Sequence, residues 1–358
     1  MRLLILTQKV DKNDDVLGFF HSWIVEFSKR CEVVTVICLE KGEYNLSHNV
    51  SILSLGKEKL KIFKRPIYIV RFIRYIARIR HDYDTVFVHM NPEYVVLGGL
   101  LWRLWRKKIG LWYVHRQINL KLRIAEKLAH IIFSTTPEAF RLKSKKIHFL
   151  GHGVDFSLFP HNKLSTSDVH SFKILHVGRI TPIKNLDILI ETAAILKKTW
   201  NKKFKIVLAG VPSASGDEEY EKKLKELVET HDLKNEISFI GKMPFMRVAE
   251  LYKEADITVN LTPTGGMDKA VLESIASGTI AFSANRALTD LFGEYADHLL
   301  YNERDAEDTA NKIMGIMDME SSKKQRIEDY LYERVRARFN LDSLIKRIVE
   351  ELKTHERI

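Results

Sequence analysis

Only two of the 358 residues are cysteines, Cys31 and Cys38, and both fall in one strand-like run. A disulfide scaffold is therefore excluded, and a reducing compartment is the simplest setting. Long apolar runs are also missing. The best, Val95 to Trp102, is cut short by Arg103, well below the ~20 residues that span a bilayer. The opening Met1–Thr7 is too short for the apolar core of a signal peptide and reads as a buried first strand, so a cytoplasmic location is expected. There is no G-x-x-x-x-G-K-[ST] loop, which excludes a P-loop NTPase. The nearest approach to a dinucleotide fingerprint, Gly151-x-Gly153, lacks its third glycine. Helix-turn-helix, zinc-finger and RNP-like patterns are absent, so nucleic acid is not an expected partner. Internal repeats and low-complexity tracts are absent too.

What remains is an ordinary globular balance, 45% apolar and 29% charged, long enough for two domains. The net charge of +11 is unevenly placed. Residues 1–168 carry 28 Lys/Arg against 15 Asp/Glu, and the rest carry 29 against 31. Such asymmetry suggests that the first part faces something anionic. Residues 57–80 concentrate nine basic residues and one acid. Lys57, Lys64, Arg71, Arg74 and Arg78 recur at helical spacing, beside an apolar face of Ile62, Ile69, Ile73 and Ile76. A basic amphipathic helix is a candidate for an anionic membrane surface, and equally a solvated helix flank packed on a sheet. Residues 102–112 form a second interfacial candidate, with Arg103, Arg106, Lys107 and Lys108 interleaved with Trp102, Trp105 and Trp112. These tryptophans fit a core as well.

β-rich runs alternate with amphipathic helical patterns. Strands are expected at Leu3–Thr7, Val33–Cys38, Thr85–His89, Ile109–His115, His130–Ser134 and Lys146–Leu150. After residue 170 they are expected at Lys173–Gly178, Lys205–Gly210, Glu236–Ile240, Ile257–Leu261 and Thr279–Ser283. Helices are expected at Leu186–Lys198, Glu219–Thr230, Ser321–Phe339 and Leu341–Lys353. This alternation argues for an α/β fold with two Rossmann-like parallel-sheet domains facing a cleft. The polar segment Phe159–Ser171 reads as the linker. The expected domains are 1–165 and 170–340, with a terminal helix, 341–358, crossing back to the first. Ligands of open α/β sheets bind beyond the C-terminal ends of the strands, so the chemistry is sought in those loops.

Three such loops stand out. Gly178-Arg179, followed by Pro182 and Lys184, places two cations after the first strand of the second domain, near a helix start, which suits a diphosphate. Surface cations in a βα loop look the same. Thr262-Pro263-Thr264-Gly265-Gly266-Met267-Asp268-Lys269-Ala270-Val271-Leu272-Glu273 opens another helix. Its glycines would let backbone N–H groups line an anion or sugar site, and Glu273 could accept two sugar hydroxyls. Gly241-Lys242-Met243-Pro244 forms a tight loop able to contact a base through its backbone, and Gly210 ends the strand between.

These residues, in this order, resemble glycosyltransferase family 4. The order is a strand with GRxxPxK, a strand-loop glycine, Tyr252-Lys253-Glu254-Ala255-Asp256, and a Gly-rich loop leading to Leu272-Glu273. The resemblance covers most of the chain and implies the GT-B fold and a nucleotide-sugar donor used with retention. Arg179 and Lys184 match the pair that neutralises the donor diphosphate, and Glu273 matches the second Glu of an E-x7-E motif, which holds the ribose. His115, expected to end a strand, matches a His facing the donor sugar. Asp14-Asp15-Val16-Leu17-Gly18 looks like the acceptor-side glycine loop, and Gly151-His152-Gly153-Val154-Asp155 like the end of the first domain. One departure stands out: the first Glu of the motif is replaced by Gly265, and Asp268 is the candidate to take over its contact with donor hydroxyls.

The resemblance thus implies catalytic roles for His115, Arg179, Lys184 and Glu273, and acceptor-side roles for Asp15, Gly18 and His115. The donor site would comprise Gly178, Arg179, Lys184, Gly210, Gly241, Lys242, Met243, Gly266, Met267, Asp268, Lys269, Ala270, Val271 and Glu273. No metal and no resident cofactor are expected. The donor is an NDP-sugar, with UDP the default, and the partner a glycan or lipid-linked acceptor. A phosphorylase, an epimerase or a non-catalytic basic binding module are the alternatives.

Overall fold

The structure is a computed structural model, and it describes residues 1–59, 64–161 and 171–354. The chain divides into two compact units, Met1–Gly153 with the final helix, and Val154–Asn340.

The first unit is built on seven parallel strands. They are β1 (Arg2–Val10), β2 (Val33–Lys41), β3 (Val50–Ser54), β4 (Thr85–His89), β5 (Lys108–Trp112), β6 (Ile131–Ser134) and β7 (Ile147–Phe149). Their order across the sheet is β3-β2-β1-β4-β5-β6-β7. Side chains alternate between its faces, as strand geometry requires. Leu3, Ile5, Val34, Val36 and Phe87 point to one face, and Leu4, Leu6, Ile37, Val86 and Val88 to the other. The first face is covered by the helix Phe19–Ser28 and the last helix, Leu341–Thr354. That last helix buries Leu341, Leu344, Ile345, Ile348, Val349 and Leu352, a stripe of period 3.6. The second face is covered by the helices Lys64–Arg78, Pro92–Leu104 and Leu120–Leu128.

Two pairs of readings left open by the sequence narrow here. In the basic helix 64–78, Phe72 and Ile76 are buried in the core and Ile73 packs against it, so this part of its apolar face packs on the sheet, while Val70 is exposed. Ile62 lies outside the described residues. The tryptophans of 102–112 are core as well. Trp102 is buried with its indole N–H donating to Tyr83 Oη at 3.0 Å, Trp112 meets the edge of Trp23 at 4.9 Å, and Trp105 packs on the same core.

The second unit has five parallel strands, β8 (Phe172–Val177), β9 (Phe204–Ala209), β10 (Ile237–Gly241), β11 (Ile257–Asn260) and β12 (Ile280–Ser283). Their order is β10-β9-β8-β11-β12. The chain joins this unit at Val154, earlier than the expected linker. Val154 N–H donates to Phe339 O at 2.7 Å, and the Phe159 ring packs on Phe245 and Tyr252. Residues 162–170 of the expected linker lie outside the described residues. No described helix is long and apolar enough to cross a membrane.

Candidate active site

The parallel register of the second sheet brings the C-terminal ends of β8 to β12, and the loops that follow them, to one edge. β8 ends at Val177, and the chain turns through Gly178 and Arg179 into a short 3-10 turn, Pro182–Lys184. Asn185 then takes a left-handed conformation (φ 46°) that starts the helix Leu186–Thr199, and its side-chain amide donates to Leu261 O at 3.1 Å. This aims Lys184 back across the sheet edge. Its Nζ donates to Asp268 Oδ2 at 2.5 Å and to Thr262 Oγ1 at 3.0 Å. Asp268 Oδ2 also accepts from Asn260 Nδ2 (2.8 Å) and Thr262 Oγ1 (3.2 Å), while Oδ1 caps the helix Lys269–Ala276 at Ala270 N (3.2 Å). Burial penalises the charge on this carboxylate. The Lys184 ammonium and the converging hydrogen bonds outweigh that and hold its pKa far below the usual range.

Both oxygens of Asp268 are thus engaged within the protein. The carboxylate orients Lys184 and caps a helix. Arg179 is the opposite case: it is exposed, and among the described residues its one side-chain hydrogen bond is to Ser213 Oγ, at 3.5 Å. One cation is half-buried and paired, and the other is exposed at the sheet edge.

Glycines line the ends of the neighbouring strands. Gly178 N–H donates to Ala209 O, and Gly210 N–H to Gly241 O. A Cβ on Gly210 would lie 1.8 Å from Gly178 O, so a side chain there is incompatible with this close approach. Gly241 has φ +74° and opens onto empty space, and it leads into the exposed Lys242 and half-buried Met243.

The Gly265-Gly266 loop differs from expectation. Gly265 is buried, and its N–H donates to Asn285 Oδ1 (3.2 Å), while Asn285 Nδ2 donates to Gly266 O (3.0 Å). The Gly265 N–H is therefore spent on a buried asparagine and does not line an anion site. The helix that follows carries Lys269, Ala270 and Val271 in its first turn. One turn on, the buried Glu273 lies 3.1 Å from Lys269 Nζ. Burial raises the Glu273 pKa, and the Lys269 ammonium opposes this in part. The buried hydroxyl of Tyr252 has no hydrogen-bond partner.

Sequence reasoning missed His176, Asn260 and Asn285. His176 lies in β8 beneath Gly178, buried, with Nδ1 donating to Val259 O at 3.0 Å and Nε2 unpartnered. A Cβ at Gly178 would stand 3.2 Å from that Nε2. Burial, and then the nearby Lys184 charge, lower its pKa to about 4, so the ring is neutral at pH 7. The signal was an imidazole inside the apolar run Ile174–Val177.

In the first unit, Asp14 accepts from the N–H groups of Val16 and Leu17 and pairs with Lys9 at 2.8 Å. This shapes the turn through half-buried Asp15 to buried Gly18, where the helix Phe19–Ser28 begins. His115 does not end a strand. β5 stops at Trp112 because the chain then leaves the sheet, Val114 N–H donating to Met90 Sδ. His115 is exposed in the following loop, its Nδ1 accepting from Gln117 N–H at 3.0 Å. At the same end of that sheet His89 is buried, stacked on Phe20 at 3.9 Å and 3.2 Å from Thr7 Oγ1. Asp15, Gly18 and His115 lie on the first unit, and the donor-side residues lie together on the second. The one Asp-x-Asp spacing, Asp82-Tyr83-Asp84, sits at the N-terminal end of β4 with Asp84 paired to Arg2. Among the described residues no group of three or more His, Cys, Asp or Glu is placed to hold a metal ion.

Residues 162–334 match the family model "Glycosyl transferases group 1". Over 149 residues the chain is 30% identical to a D-inositol 3-phosphate glycosyltransferase of Acidothermus cellulolyticus, covering 40% of this chain and 33% of that protein. Over 228 residues it is 23% identical to a putative colanic acid biosynthesis glycosyltransferase, WcaL, of Salmonella typhimurium, covering 60% and 54%. The matches thus span a third to about half of those relatives' length. In fold, the chain is similar to HepE of Anabaena, solved with UDP and glucose (TM-score 0.76, 16% identity, covering 99% of this chain and 100% of that one). It is likewise similar to a sucrose-phosphate synthase of Thermosynechococcus elongatus (TM-score 0.77, 15% identity, 99% of each). Both parallel-sheet units therefore have the Rossmann-like fold of GT-B glycosyltransferases.

Proposed function

We propose, from the premise that the second unit is a group 1 glycosyltransferase domain, that the protein transfers a sugar with retention from a UDP-sugar to a glycan or lipid-linked acceptor. The observation that carries this reading is the Lys184–Asp268 pair, 84 residues apart in sequence, assembled beside the exposed cation Arg179 at glycine-lined strand ends. That edge is where an open parallel sheet receives a ligand, and close backbone approach leaves room for a diphosphate.

In the reaction, an acceptor hydroxyl oxygen attacks the anomeric carbon on the face the diphosphate leaves. The bond from that carbon to the diphosphate oxygen breaks, its electron pair stays on UDP, and the acceptor proton passes to the departing phosphate oxygen. The developing negative charge falls on Lys184, already oriented by Asp268, and on Arg179, which closes onto it. Preorganised charge of this kind lowers the barrier without reorganisation at the moment of reaction. Glu273 accepts ribose hydroxyls, and the loop Gly241–Met243 receives the base. His115 takes the catalytic role that the family resemblance implies for it. Uridine is favoured because a fold neighbour was solved with UDP. The excess of basic residues in the first unit suits an anionic acceptor or membrane surface. Since the helix 64–78 uses its apolar side internally, the attraction there rests on charge.

A thermal-shift panel with UDP, GDP and ADP on the wild type and on Arg179→Ala tests the donor site. Ligand at ~100 times its Kd adds about 2.7 kcal/mol of stability. A shift with UDP that Arg179→Ala loses, together with UDP release from UDP-sugars, supports the reading. No shift with any diphosphate overturns it.

A further inference from the structure

A second cationic site lies at the other end of the first unit's sheet. Thr85 opens β4, Lys108 opens β5, and His130 and Lys146 immediately precede β6 and β7. In a parallel sheet these N-terminal ends share one edge, opposite the loops that hold Gly18 and His115. A pocket of about 930 Å³ lies there, lined by Arg103, Arg106, Lys107, Lys108, His130 and Lys146. Asp84 is the one carboxylate in its lining, and it is taken by Arg2 at 2.8 Å.

The cations of this pocket are held by neutral groups. Arg103 donates to Leu128 O (2.8 Å) and Lys127 O (3.2 Å), and Lys146 Nζ to Glu126 O (2.7 Å) and Ala129 O (3.0 Å). Lys107 Nζ donates to Tyr83 O (2.6 Å), and Lys108 Nζ to Glu351 O and Leu352 O (2.8 Å each). Carbonyls at the C-terminal ends of the helices Leu120–Leu128 and Leu341–Thr354 orient these side chains, as helix termini do. They carry no full negative charge. Among the described residues, Arg103, Arg106, Lys107 and Lys146 form no ion pair with a carboxylate, so the pocket keeps a positive charge of several units. Two lysines register the strain. Burial, with Arg2 adding to it and Asp84 opposing, lowers the Lys107 pKa. Burial and then Arg103 lower that of Lys146 against Glu126. Arg106 is exposed at φ 55°, a left-handed backbone rarely used by arginine, and among the described residues its guanidinium has no hydrogen-bond or ion-pair partner. A flat solvated surface would let these charges spread apart, whereas a concave pocket concentrates them.

We propose that this pocket binds a ligand bearing one or more phosphate groups, at a site separate from the donor loops of the second unit. The phosphate oxygens accept from Arg103, Arg106 and Lys107 and supply the counter-charge that the carbonyls lack. Either a free oligophosphate compound or the phosphate of a lipid headgroup presents this chemistry.

The test is calorimetric titration of the full chain with tripolyphosphate, with co-sedimentation on phosphatidylcholine vesicles with and without phosphatidylglycerol as a second arm. The variant is Arg103→Gln with Arg106→Asn. Glutamine suits the helix and asparagine tolerates the left-handed backbone, so the fold is kept. We expect tripolyphosphate binding to weaken about ten-fold or more in the variant. If only vesicles containing phosphatidylglycerol bind, and the variant releases them, the phosphate is that of a lipid headgroup. If neither ligand binds the wild type, or the variant binds both as well as the wild type, the proposal is overturned. Arg179→Ala serves as the control for the donor loops. Binding lost there and kept in the Arg103/Arg106 variant belongs to the second unit, and it overturns this proposal while leaving the transferase reading intact.

Discussion

Lowering the pH should unlock the second unit through His176. This imidazole is buried beneath Gly178 and donates one hydrogen bond, to Val259 O. Its folded pKa is about 4 against 6.5 for the free group, because burial and then Lys184 disfavour a second charge. A histidine with a depressed folded pKa contributes stability that is complete above the unfolded value and is lost as pH falls through the folded one. The window is therefore pH 6.5 down to 4. The 2.5-unit gap corresponds to about 3 kcal/mol in full, of which about 2 kcal/mol is lost between about pH 7.5 and pH 5.

Other groups titrate in that range, so the assay is a difference. Urea unfolding followed by circular dichroism is run across the window on the wild type and on His176→Asn. Asparagine can donate to Val259 O from nearly the position of Nδ1 and does not titrate. Titrations elsewhere cancel between the two chains. The variant pays a fixed cost for lost ring volume, and its deficit should shrink by about 2 kcal/mol between about pH 7.5 and pH 5. A deficit that stays constant to within about 0.5 kcal/mol would refute the reasoning. It would mean that the unfolded and folded imidazoles take up protons alike, and that the Nε2 site is open to water.

Gly210→Ala drives a Cβ into Gly178 O. It should cost about 1–3 kcal/mol in urea unfolding and displace the turn that carries Arg179, weakening UDP binding in calorimetry. Asp268→Asn leaves Lys184, whose side chain is only 12% exposed, without its carboxylate. A loss of about 3 kcal/mol is expected at neutral pH. Because the Asp268 pKa is lowered, the wild-type advantage holds above the unfolded carboxyl value and fades only well below about pH 4, as acid unfolding of the two chains should show. Burial pushes the thiols of Cys31 and Cys38 up to about 11 and about 12, so an aromatic disulfide reagent should label neither in the native protein and both in urea.

Most of the fold was legible because its strands are buried on both faces, and buried parallel strands read as short apolar runs between amphipathic helices. The strand that escaped notice, β3, is the exception that shows the rule. It is the edge strand of its sheet, its residues are exposed or half-buried, and its sequence Val50-Ser51-Ile52-Leu53-Ser54 follows a polar stretch with no helix between. The end of β5 was misplaced for another reason. Residues 113–115 continue the strand-like composition, but the chain leaves the sheet there, with Val114 N–H donating to the Met90 sulfur and Gln117 N–H to His115 Nδ1. The tryptophans of 102–112 misled in the same way. Charge lies between them in sequence, yet the indoles point inward while the cations point to the pocket at the sheet's end.

The site was legible in its residue types and illegible in its pairings. Gly178, Arg179, Lys184, Asp268 and Glu273 could be picked out because each follows a strand or opens a helix. What each one does depends on partners far away in sequence. Asp268 looked like a substitute for the glutamate absent at Gly265, since a carboxylate three residues on can reach a similar place. The structure gives it four internal donors, two of them from Asn260 and Thr262, and sequence spacing alone does not reveal them. Gly265 is buried against Asn285, whose two hydrogen bonds fix the loop that the glycines were expected to free. The loss of the motif's first carboxylate and the inward turn of Asp268 therefore belong together. The carboxylate that remains, Asp268, holds the Lys184 cation.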